Sequence, residues 1–260
     1  MSGSAALTPL AGRVALVTGA SKGLGAAIAR RLSERGARLA LVGRDADALA
    51  AVARETHGLA LVADVTDAAA IVRALARARE ELGPIAILVQ NAGIASGAPL
   101  EGTDDALWER TMAVNVTAPF RIARAVVPEM IRAGYGRVVH VASNAGLTGY
   151  AYTAAYCASK HALVGLTRAL AAEVAKSGVT VNAVCPGFLD TEMTERTIAT
   201  IAAKTGRSAD DARRALEALS PQKRLVDVVE VAHVVAMLCD DEARGVNGQS
   251  IAIDGGQVMK

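Results

Sequence analysis

The sequence has few aromatic residues, few cysteines and almost no net charge, and each shortage narrows the classes of protein to consider. Its 260 residues include one Trp, two Phe and four Tyr, so small aliphatic side chains must fill the core. The 28 Lys and Arg residues nearly balance the 26 Asp and Glu residues, for a formal net charge of +2. We therefore do not expect nucleic acid or an anionic membrane to be the main partner.

Cysteine and histidine are too scattered for a disulfide framework or a metal site. The three cysteines form no CxxC pair, and the four histidines lie far apart along the chain. This usage is typical of free thiols in a reducing compartment. We predict a cytoplasmic protein with no bound metal. The cysteines are Cys157, Cys185 and Cys239, and the histidines are His57, His140, His161 and His233.

Long hydrophobic runs are also missing. No apolar run reaches the roughly 18 residues that a membrane-spanning helix needs, so we expect no membrane association. The first eleven residues lack the basic start and apolar stretch of a secretory signal, so we expect no such signal. With 52% hydrophobic and 21% charged residues, the chain is not expected to be disordered.

Short apolar runs alternate with longer amphipathic stretches along the chain. Several runs are continuously apolar, which is typical of strands that are covered on both faces. Alternation of strand and helix predicts a parallel, doubly wound, Rossmann-like α/β sheet of about seven strands, in one domain of residues 1–260. The predicted strands are 14–18, 38–43, 59–63, 85–90, 137–142, 179–185 and 249–253, and the predicted helices are 24–35, 46–56, 68–82, 104–132, 153–176 and 228–239.

Residues 191–225 interrupt this alternation with a weakly helical, charged stretch after the sixth predicted strand. An insertion after the carboxyl end of a strand is where α/β proteins place a substrate lid, and we predict one here. A surface helical hairpin without a role is the alternative. Its basic residues either meet the phosphate of a CoA or acyl-carrier substrate or form a solvated, salt-bridged face. They are Arg196, Lys204, Arg207, Arg213 and Arg214.

A glycine-rich loop joins the first predicted strand to the first predicted helix. Glycines there let backbone N–H groups approach a pyrophosphate, and the helix N-terminus adds partial positive charge. The spacing is GxxxGxG, at the start of a strand-helix-strand unit, so we predict a dinucleotide site and not an empty turn. Its residues are Gly19, Ser21, Lys22, Gly23, Leu24 and Gly25.

Three further side chains form a candidate catalytic set. Tyr156 and Lys160 are four apart in a helical pattern, so they share one helix face. An ammonium beside a phenol is expected to lower the phenol pKa from about 10, which suits proton exchange with a carbonyl or alcohol oxygen. Ser143, after the fifth predicted strand, can donate a hydrogen bond to the same oxygen during hydride transfer. The alternative is an ordinary helix pair and a loop serine.

These motifs together resemble the short-chain dehydrogenases/reductases. The resemblance covers about residues 10–256 and is carried by TGxxxGxG at 18–25, NAG at 91–93, Ser143, YxxxK at 156–160, and PG at 186–187 with a downstream Thr. One departure is Gln90, where many members carry a second Asn before the NAG motif.

The resemblance implies roles for residues outside the glycine loop. Asn115 would order a water in a proton relay, and Lys160 would also bind the nicotinamide ribose. Asp64 and Val65 would face the adenine, although Asp64 is alternatively a capping or turn residue. The other implied cofactor contacts are Asn91, Ala92, Gly93, Tyr156, Pro186, Gly187 and Thr191. The helix with YxxxK and the final strand make subunit contacts in such proteins, which implies a homotetramer.

The end of the second predicted strand favours NADP(H), with NAD(H) as the alternative. An NAD site needs a carboxylate there for the ribose hydroxyls, but the chain has Gly43. Arg44 and Lys22 can pair with a 2′-phosphate. Asp45 could compete for the 2′-hydroxyl, but we predict that it caps the helix that starts at Ala46.

We expect a small-molecule carbonyl or hydroxyacyl substrate between the catalytic set and the lid, near Asn144, Tyr150 and Phe188. The overall resemblance is to 3-oxoacyl reductases and polyketide-type ketoreductases, which implies reduction of a β-keto thioester with NADPH. Two alternatives stay open. One is an NAD-dependent secondary-alcohol or 3-hydroxyacyl-CoA dehydrogenase, and the other is a catalytically silent nucleotide sensor.

Overall fold

Seven strands and nine α-helices follow one another in the computed structural model, which describes residues 8–259. The strands are β1 (Val14–Thr18), β2 (Arg38–Gly43), β3 (Leu59–Val62), β4 (Ile85–Gln90), β5 (Gly136–Val141), β6 (Val179–Pro186) and β7 (Ser250–Ile253). The helices are α1 (Gly23–Glu34), α2 (Ala46–Thr56), α3 (Ala68–Leu82), α4 (Asp105–Met112), α5 (Ala118–Ala133), α6 (Ala154–Val174), α7 (Glu192–Thr205), α8 (Ala209–Glu217) and α9 (Val228–Leu238).

All seven strands lie in one parallel sheet with the order β3-β2-β1-β4-β5-β6-β7. The order reverses between β1 and β4, and ligands of such sheets bind outside the carboxyl ends of the strands at that point. The predicted doubly wound, Rossmann-like single domain of about seven strands is confirmed. Predicted and observed strand ends differ by at most one residue.

The two faces of the sheet are both covered, because successive strand side chains point to opposite faces. On one face, Val17 and Val139 pack with side chains of α1, α2 and α9. On the other face, Leu16 and Val138 pack with side chains of α3, α5 and α6. Double coverage explains why the strands read as continuous apolar runs.

Short polar side chains set the starts of several helices. Asp45 accepts a hydrogen bond from the Ala48 N–H at the start of α2, which confirms the predicted cap. Asp67 caps α3 in the same way through the Ala70 N–H. Each cap satisfies a backbone donor that the helix itself leaves unpaired.

The stretch predicted as one helix over 104–132 is not a single α-helix. It consists of α4, one π-helical turn at Ala113–Thr117, and α5. Hydrophobic periodicity cannot detect one wide turn, because the flanking α-helices dominate the pattern. The π turn contains Asn115, one of the candidate site residues.

The predicted lid region forms α7 and α8, which share a small core of their own. Ile198, Ala212, Leu216 and Leu225 are buried together there. Its basic residues largely form salt bridges on the exposed face: Arg196 with Glu192, Arg213 with Asp190 and Glu195, and Arg214 with Asp211. This supports the salt-bridged interpretation of the three arginines.

Candidate active site

The glycine loop packs against the end of β4 too closely for side chains. A Cβ at Gly25 would lie 2.0 Å from the Gly19 carbonyl oxygen and 2.5 Å from Asn91 Nδ2. A Cβ at Gly19 would lie 2.9 Å from Ala92 Cα, and Gly19 has a φ of +66°. The loop therefore requires glycine at both positions for space, and at Gly19 also for conformation.

Hydrogen bonds tie this loop to the NAG segment. The Asn91 Nδ2 donates to the carbonyl oxygens of Thr18 and Gly19 at 3.0 Å each. The Thr18 hydroxyl accepts from the Asn91 and Ala92 N–H groups at 3.1 Å each. The Asn91 side chain thus holds the loop in shape, and sequence reasoning missed the part that Thr18 takes in this contact.

Helix α1 begins at the loop without a side-chain cap, since Lys22 makes no capping hydrogen bond. Uncapped N–H groups at a helix N-terminus form a ready binding site for phosphate. The Leu24 side chain lies in the core, so only the backbone of Leu24 faces the N-terminus of α1. Thr191 lies across from the loop, with its Cγ2 3.8 Å from the place of a Cβ on Gly23. These features fit the pyrophosphate of a dinucleotide.

The end of β2 leaves no room for an acidic side chain. A Cβ at Gly43 would lie 2.2 Å from the Ser21 hydroxyl oxygen, so Ser21 occupies the space that a longer residue needs. A longer residue at this position would require the Ser21 side chain to move. No acidic side chain therefore stands at the end of β2 to accept from the ribose hydroxyls.

The two basic residues predicted to bind that phosphate have different partners. Arg44 is exposed and its Nη1 lies 3.5 Å from the Asp64 carboxylate. Lys22 Nζ forms a 2.6 Å ion pair with Glu192, at the start of α7. A phosphate would have to compete with both carboxylates.

One carboxylate oxygen of Asp64 stabilises the turn that follows β3. Oδ1 accepts from the Thr66 N–H at 2.9 Å and from the Thr66 hydroxyl at 2.7 Å. These bonds hold the pKa of the Asp64 carboxyl below its usual value, with a further contribution from Arg44. Oδ2 contacts only Arg44 among the described residues, so it can still accept from a base amino group. The adjoining Val65 is partly buried.

The candidate catalytic side chains meet where β5 ends. Ser143 follows β5 and is 9% exposed, and its hydroxyl accepts from the Ala145 N–H. Tyr156 lies in the first turn of α6 and Lys160 one turn later, with Lys160 Nζ 5.7 Å from the Tyr156 ring centroid. The structure thus brings together the three residues that the sequence separates by up to 17 positions.

The predicted lowering of the Tyr156 pKa by Lys160 is wrong for this structure. Burial raises the pKa of the Tyr156 phenol, and a hydrogen bond with Ser143 offsets this only in part. Burial also lowers the pKa of Lys160 to about 8. The Lys160 ammonium is buried and donates to the Val141 carbonyl oxygen at 2.9 Å, not to the phenol.

Asn115 reaches this group from the π turn. Its Oδ1 accepts from the Ile94 N–H, and its Nδ2 donates to the Ile94 carbonyl oxygen, each at 2.9 Å, and to the Ser159 hydroxyl at 3.0 Å. A Cβ on Gly93 would lie 3.4 Å from Asn115 Oδ1 and 3.5 Å from Lys160 Nζ, so the two polar groups are neighbours across Gly93. Ser159 was not singled out from the sequence, although it lies inside the YxxxK motif.

The loop after β6 lies beside the C-terminal segment. Pro186 ends β6, and a Cβ on Gly187 would lie 2.9 Å from the Asp254 Cβ. The structure thus puts both residues at the same edge of the sheet as Ser143, with Gly187 against the turn that follows β7.

Two of the three predicted substrate residues, Asn144 and Tyr150, are linked through Gln257 of the C-terminal segment. Asn144 is buried and Tyr150 is partly exposed, and Gln257 bonds to both. Phe188 instead packs against the small core of the lid, so its side chain anchors α7 and α8. Phe188 is partly buried there, and its substrate contact stays a prediction.

Metal and membrane features are not found among the described residues. No three metal-ligating side chains come together within 8–259. None of the helices in that range is long and apolar enough to cross a bilayer.

A family model described as short chain dehydrogenase matches residues 13–202. The chain belongs to this family. Short-chain dehydrogenases are oxidoreductases that act on hydroxyl or keto groups with a nicotinamide cofactor, and the glycine cradle described above fits such a group.

Relatives and solved structures agree with this assignment over nearly the full length. The 3-oxoacyl-(acyl-carrier-protein) reductase FabG of Vibrio cholerae is 37% identical, over 96% of this chain and 99% of the relative. Nodulation protein G of a Rhizobium species is 36% identical, over 96% and 98%. A variant of the actinorhodin polyketide ketoreductase, solved with NADPH, is 36% identical with a TM-score of 0.91, over 94% and 97%.

Proposed function

We propose that this short-chain dehydrogenase is an NADPH-dependent reductase of 3-oxoacyl thioesters or similar β-keto compounds. The observation that carries the proposal is the meeting of Ser143, Tyr156 and Lys160 beside the glycine loop. A nucleotide sensor would not need this set, because binding alone requires no proton donor next to the nicotinamide position. The names of the 3-oxoacyl reductase and ketoreductase relatives support the substrate class.

The side chains present supply the proton half of such a reduction. When bound, NADPH would deliver a hydride to the carbonyl carbon. Tyr156 would donate its hydroxyl proton to the carbonyl oxygen, and Ser143 would stabilise the developing negative charge by a hydrogen bond. Because burial raises the Tyr156 pKa, the phenol is protonated at neutral pH, as reduction requires. Lys160 and Asn115 would bind the ribose and a relay water.

Replacement of Tyr156 by Phe tests this role. Loss of the proton donor should reduce kcat for ketone reduction by at least about 100-fold, since general acids typically contribute this much. NADPH binding, followed by fluorescence titration, should change little. Turnover within a factor of about three of wild type would refute the role of Tyr156.

The cofactor preference is tested by reversing one charge. Arg44→Glu should weaken NADPH binding by at least about tenfold and leave NADH binding nearly unchanged, because only NADPH carries the 2′-phosphate. The matched control is Arg54→Glu, which makes the same change on the exposed last turn of α2, away from the strand ends. Equal effects of Arg44→Glu on both cofactors would contradict the NADP assignment.

The substrate class is tested with acetoacetyl-CoA and a panel of cyclic ketones and secondary alcohols, each with both cofactors. We expect acetoacetyl-CoA reduction with NADPH to have the highest kcat/KM. Preferred oxidation of a secondary alcohol or 3-hydroxyacyl-CoA with NAD would instead identify a dehydrogenase. No turnover of any substrate would favour a sensor.

We also propose a cytoplasmic homotetramer in which residues 191–225 cover the substrate. Three free thiols support a reducing compartment, and β7 forms one edge of the sheet with an exposed Ala252. Such an edge favours pairing with another chain. Light scattering should give about four times the 26.6 kDa chain mass, and a monomer would refute this assembly.

A further inference from the structure

A buried carboxylate organises the segment that follows β7. Asp254 is 3% exposed. Its Oδ1 accepts from the Gly256 and Gln257 N–H groups at 3.1 Å, and its Oδ2 accepts from the Val258 N–H at 2.9 Å. These bonds fold the segment into a tight turn around the acid. The Gln257 side chain is thereby directed toward the loop after β5.

A chain of side-chain hydrogen bonds connects this turn to the candidate active site. Asn144 Nδ2 donates to Asp254 Oδ2 at 3.4 Å and to Gln257 Oε1 at 3.1 Å. Gln257 Nε2 in turn donates to the Tyr150 hydroxyl oxygen at 2.8 Å. At the other end, Asn144 Oδ1 lies 3.5 Å from the Ser143 hydroxyl oxygen. The chain therefore runs from Ser143 to Tyr150 through two amides.

The charge of Asp254 sets the direction of every bond in this chain. A carboxylate can only accept, so Asn144 must turn its NH₂ group toward it. The same NH₂ group then meets Gln257, which must present its oxygen to Asn144 and its NH₂ group to Tyr150. The Tyr150 oxygen consequently accepts, and its own hydrogen stays available.

Within residues 8–259, the hydrogen bond found at the Tyr150 hydroxyl is the one that it accepts from Gln257 Nε2. Tyr150 is also partly exposed, and burial with the nearby Asp254 raises its pKa to about 12, so the hydroxyl keeps its proton at neutral pH. The hydroxyl hydrogen of Tyr150 can therefore meet an acceptor on a ligand that displaces solvent from this partly exposed group.

We propose that Tyr150 donates a hydrogen bond to a second oxygen of the substrate, and that Gln257 is the positioning residue that makes it a donor. In a β-keto thioester this oxygen is the thioester carbonyl, whereas the ketone oxygen lies at Ser143 and Tyr156. The inference rests on the proposed function and adds to it the recognition of the second carbonyl by the C-terminal segment.

The test compares two ketones in wild type and variants. Acetoacetyl-CoA has the second carbonyl, and cyclohexanone does not. Tyr150→Phe should lower the ratio of kcat/KM for acetoacetyl-CoA over cyclohexanone by about three- to tenfold, mainly through KM, as expected for one neutral hydrogen bond. Gln257→Met, which keeps the length but removes both polar groups, should lower the ratio in the same direction.

A double variant shows whether Gln257 acts through Tyr150. If it does, Tyr150→Phe with Gln257→Met should lower the ratio no further than Tyr150→Phe alone. Gln249→Met is the matched control, because this exposed glutamine lies at the other end of β7 and its side chain donates to the nearby Asn247 carbonyl oxygen. Thermal unfolding establishes that each variant is folded.

The outcomes separate this inference from the proposed function. A wild type that reduces both ketones, with ratios that fall in both single variants and not in the control, supports the inference. A wild type that reduces both, with ratios unchanged in Tyr150→Phe, overturns the inference alone. A wild type inactive on both overturns the proposed function, and the inference with it.

Discussion

Lys160→Met should make the protein more stable while it removes activity. In the wild type a buried ammonium is held at 4% exposure, with the Val141 carbonyl oxygen as its hydrogen-bond partner. Burial of a charge without an ion-pair partner is costly, and the cost is visible as the lowered pKa of Lys160. Methionine has similar length and carries no charge, so it removes this cost.

The size of the effect follows from the pKa. A fall from 10.5 to about 8 means that the unfolded chain binds a proton more tightly than the folded chain, at about 1.4 kcal/mol for each tenfold in affinity. The cost at pH 7 is about 3 kcal/mol, and at pH 9.5 it is about half of that. The variant also loses the hydrogen bond to the Val141 carbonyl oxygen, which destabilises it by about 1–2 kcal/mol. The variant should therefore be more stable by about 1–2 kcal/mol at pH 7, and by almost nothing at pH 9.5.

The sign of the pH dependence is the sharpest part of the test. The pKa of Lys160 is lower in the folded state, so wild-type stability should rise as the pH goes from about 8 to 10.5, while the variant lacks this rise. Urea unfolding of both proteins without cofactor, at pH 7 and pH 9.5, measures it. Lys176→Met, at an exposed lysine just after α6, is the control and should show no such trend. A variant less stable than wild type at pH 7, or a difference independent of pH, would refute the reasoning.

Three further predictions concern the loop, the lid and the π turn. Gly25→Ala should weaken NADPH binding by at least about tenfold in fluorescence titration, because the new Cβ overlaps the Gly19 carbonyl, whereas Gly245→Ala has open space and should not. Glu192→Gln should tighten NADPH binding about two- to fivefold at low salt and leave NADH binding unchanged, because it releases Lys22 from its ion pair. Glu195→Gln, which removes a carboxylate paired with Arg213, is the control. Equal effects of Glu192→Gln on the binding of both cofactors would count against this prediction. Asn115→Ala removes the three hydrogen bonds of a buried side chain and should lower the free energy of unfolding by about 2–4 kcal/mol in urea denaturation. A loss below about 1 kcal/mol would contradict this.

Local patterns were enough to predict most of the fold. Short, largely apolar runs located the seven strands to within one residue, because burial on both faces leaves a signal that needs no knowledge of the partners. Caps such as Asp45 were equally readable, since a cap contacts backbone only three residues away. The π turn at Asn115 could not be predicted from the sequence, because one wide turn hardly changes the helical period.

The candidate site was predictable in its members and less so in their contacts. Tyr156 and Lys160 share a helix face, as a spacing of four requires. Their electrostatics differed from expectation, since the Tyr156 pKa depends on the residues that bury it and these come from distant parts of the chain. Phe188, predicted to contact the substrate, packs against the small core of α7 and α8, a contact that only the fold of these helices could reveal.

The sequence by itself therefore determined the sheet, the glycine loop and the identity of the candidate catalytic side chains, because each depends on short-range spacing. Only the tertiary structure decided which partner each polar group has. The ion pair between Lys22 and Glu192 joins residues 170 positions apart. The chain from Asp254 to Tyr150 spans more than 100 residues. Such contacts depend on how loops and strands meet at one edge of the sheet, and no local pattern records that meeting.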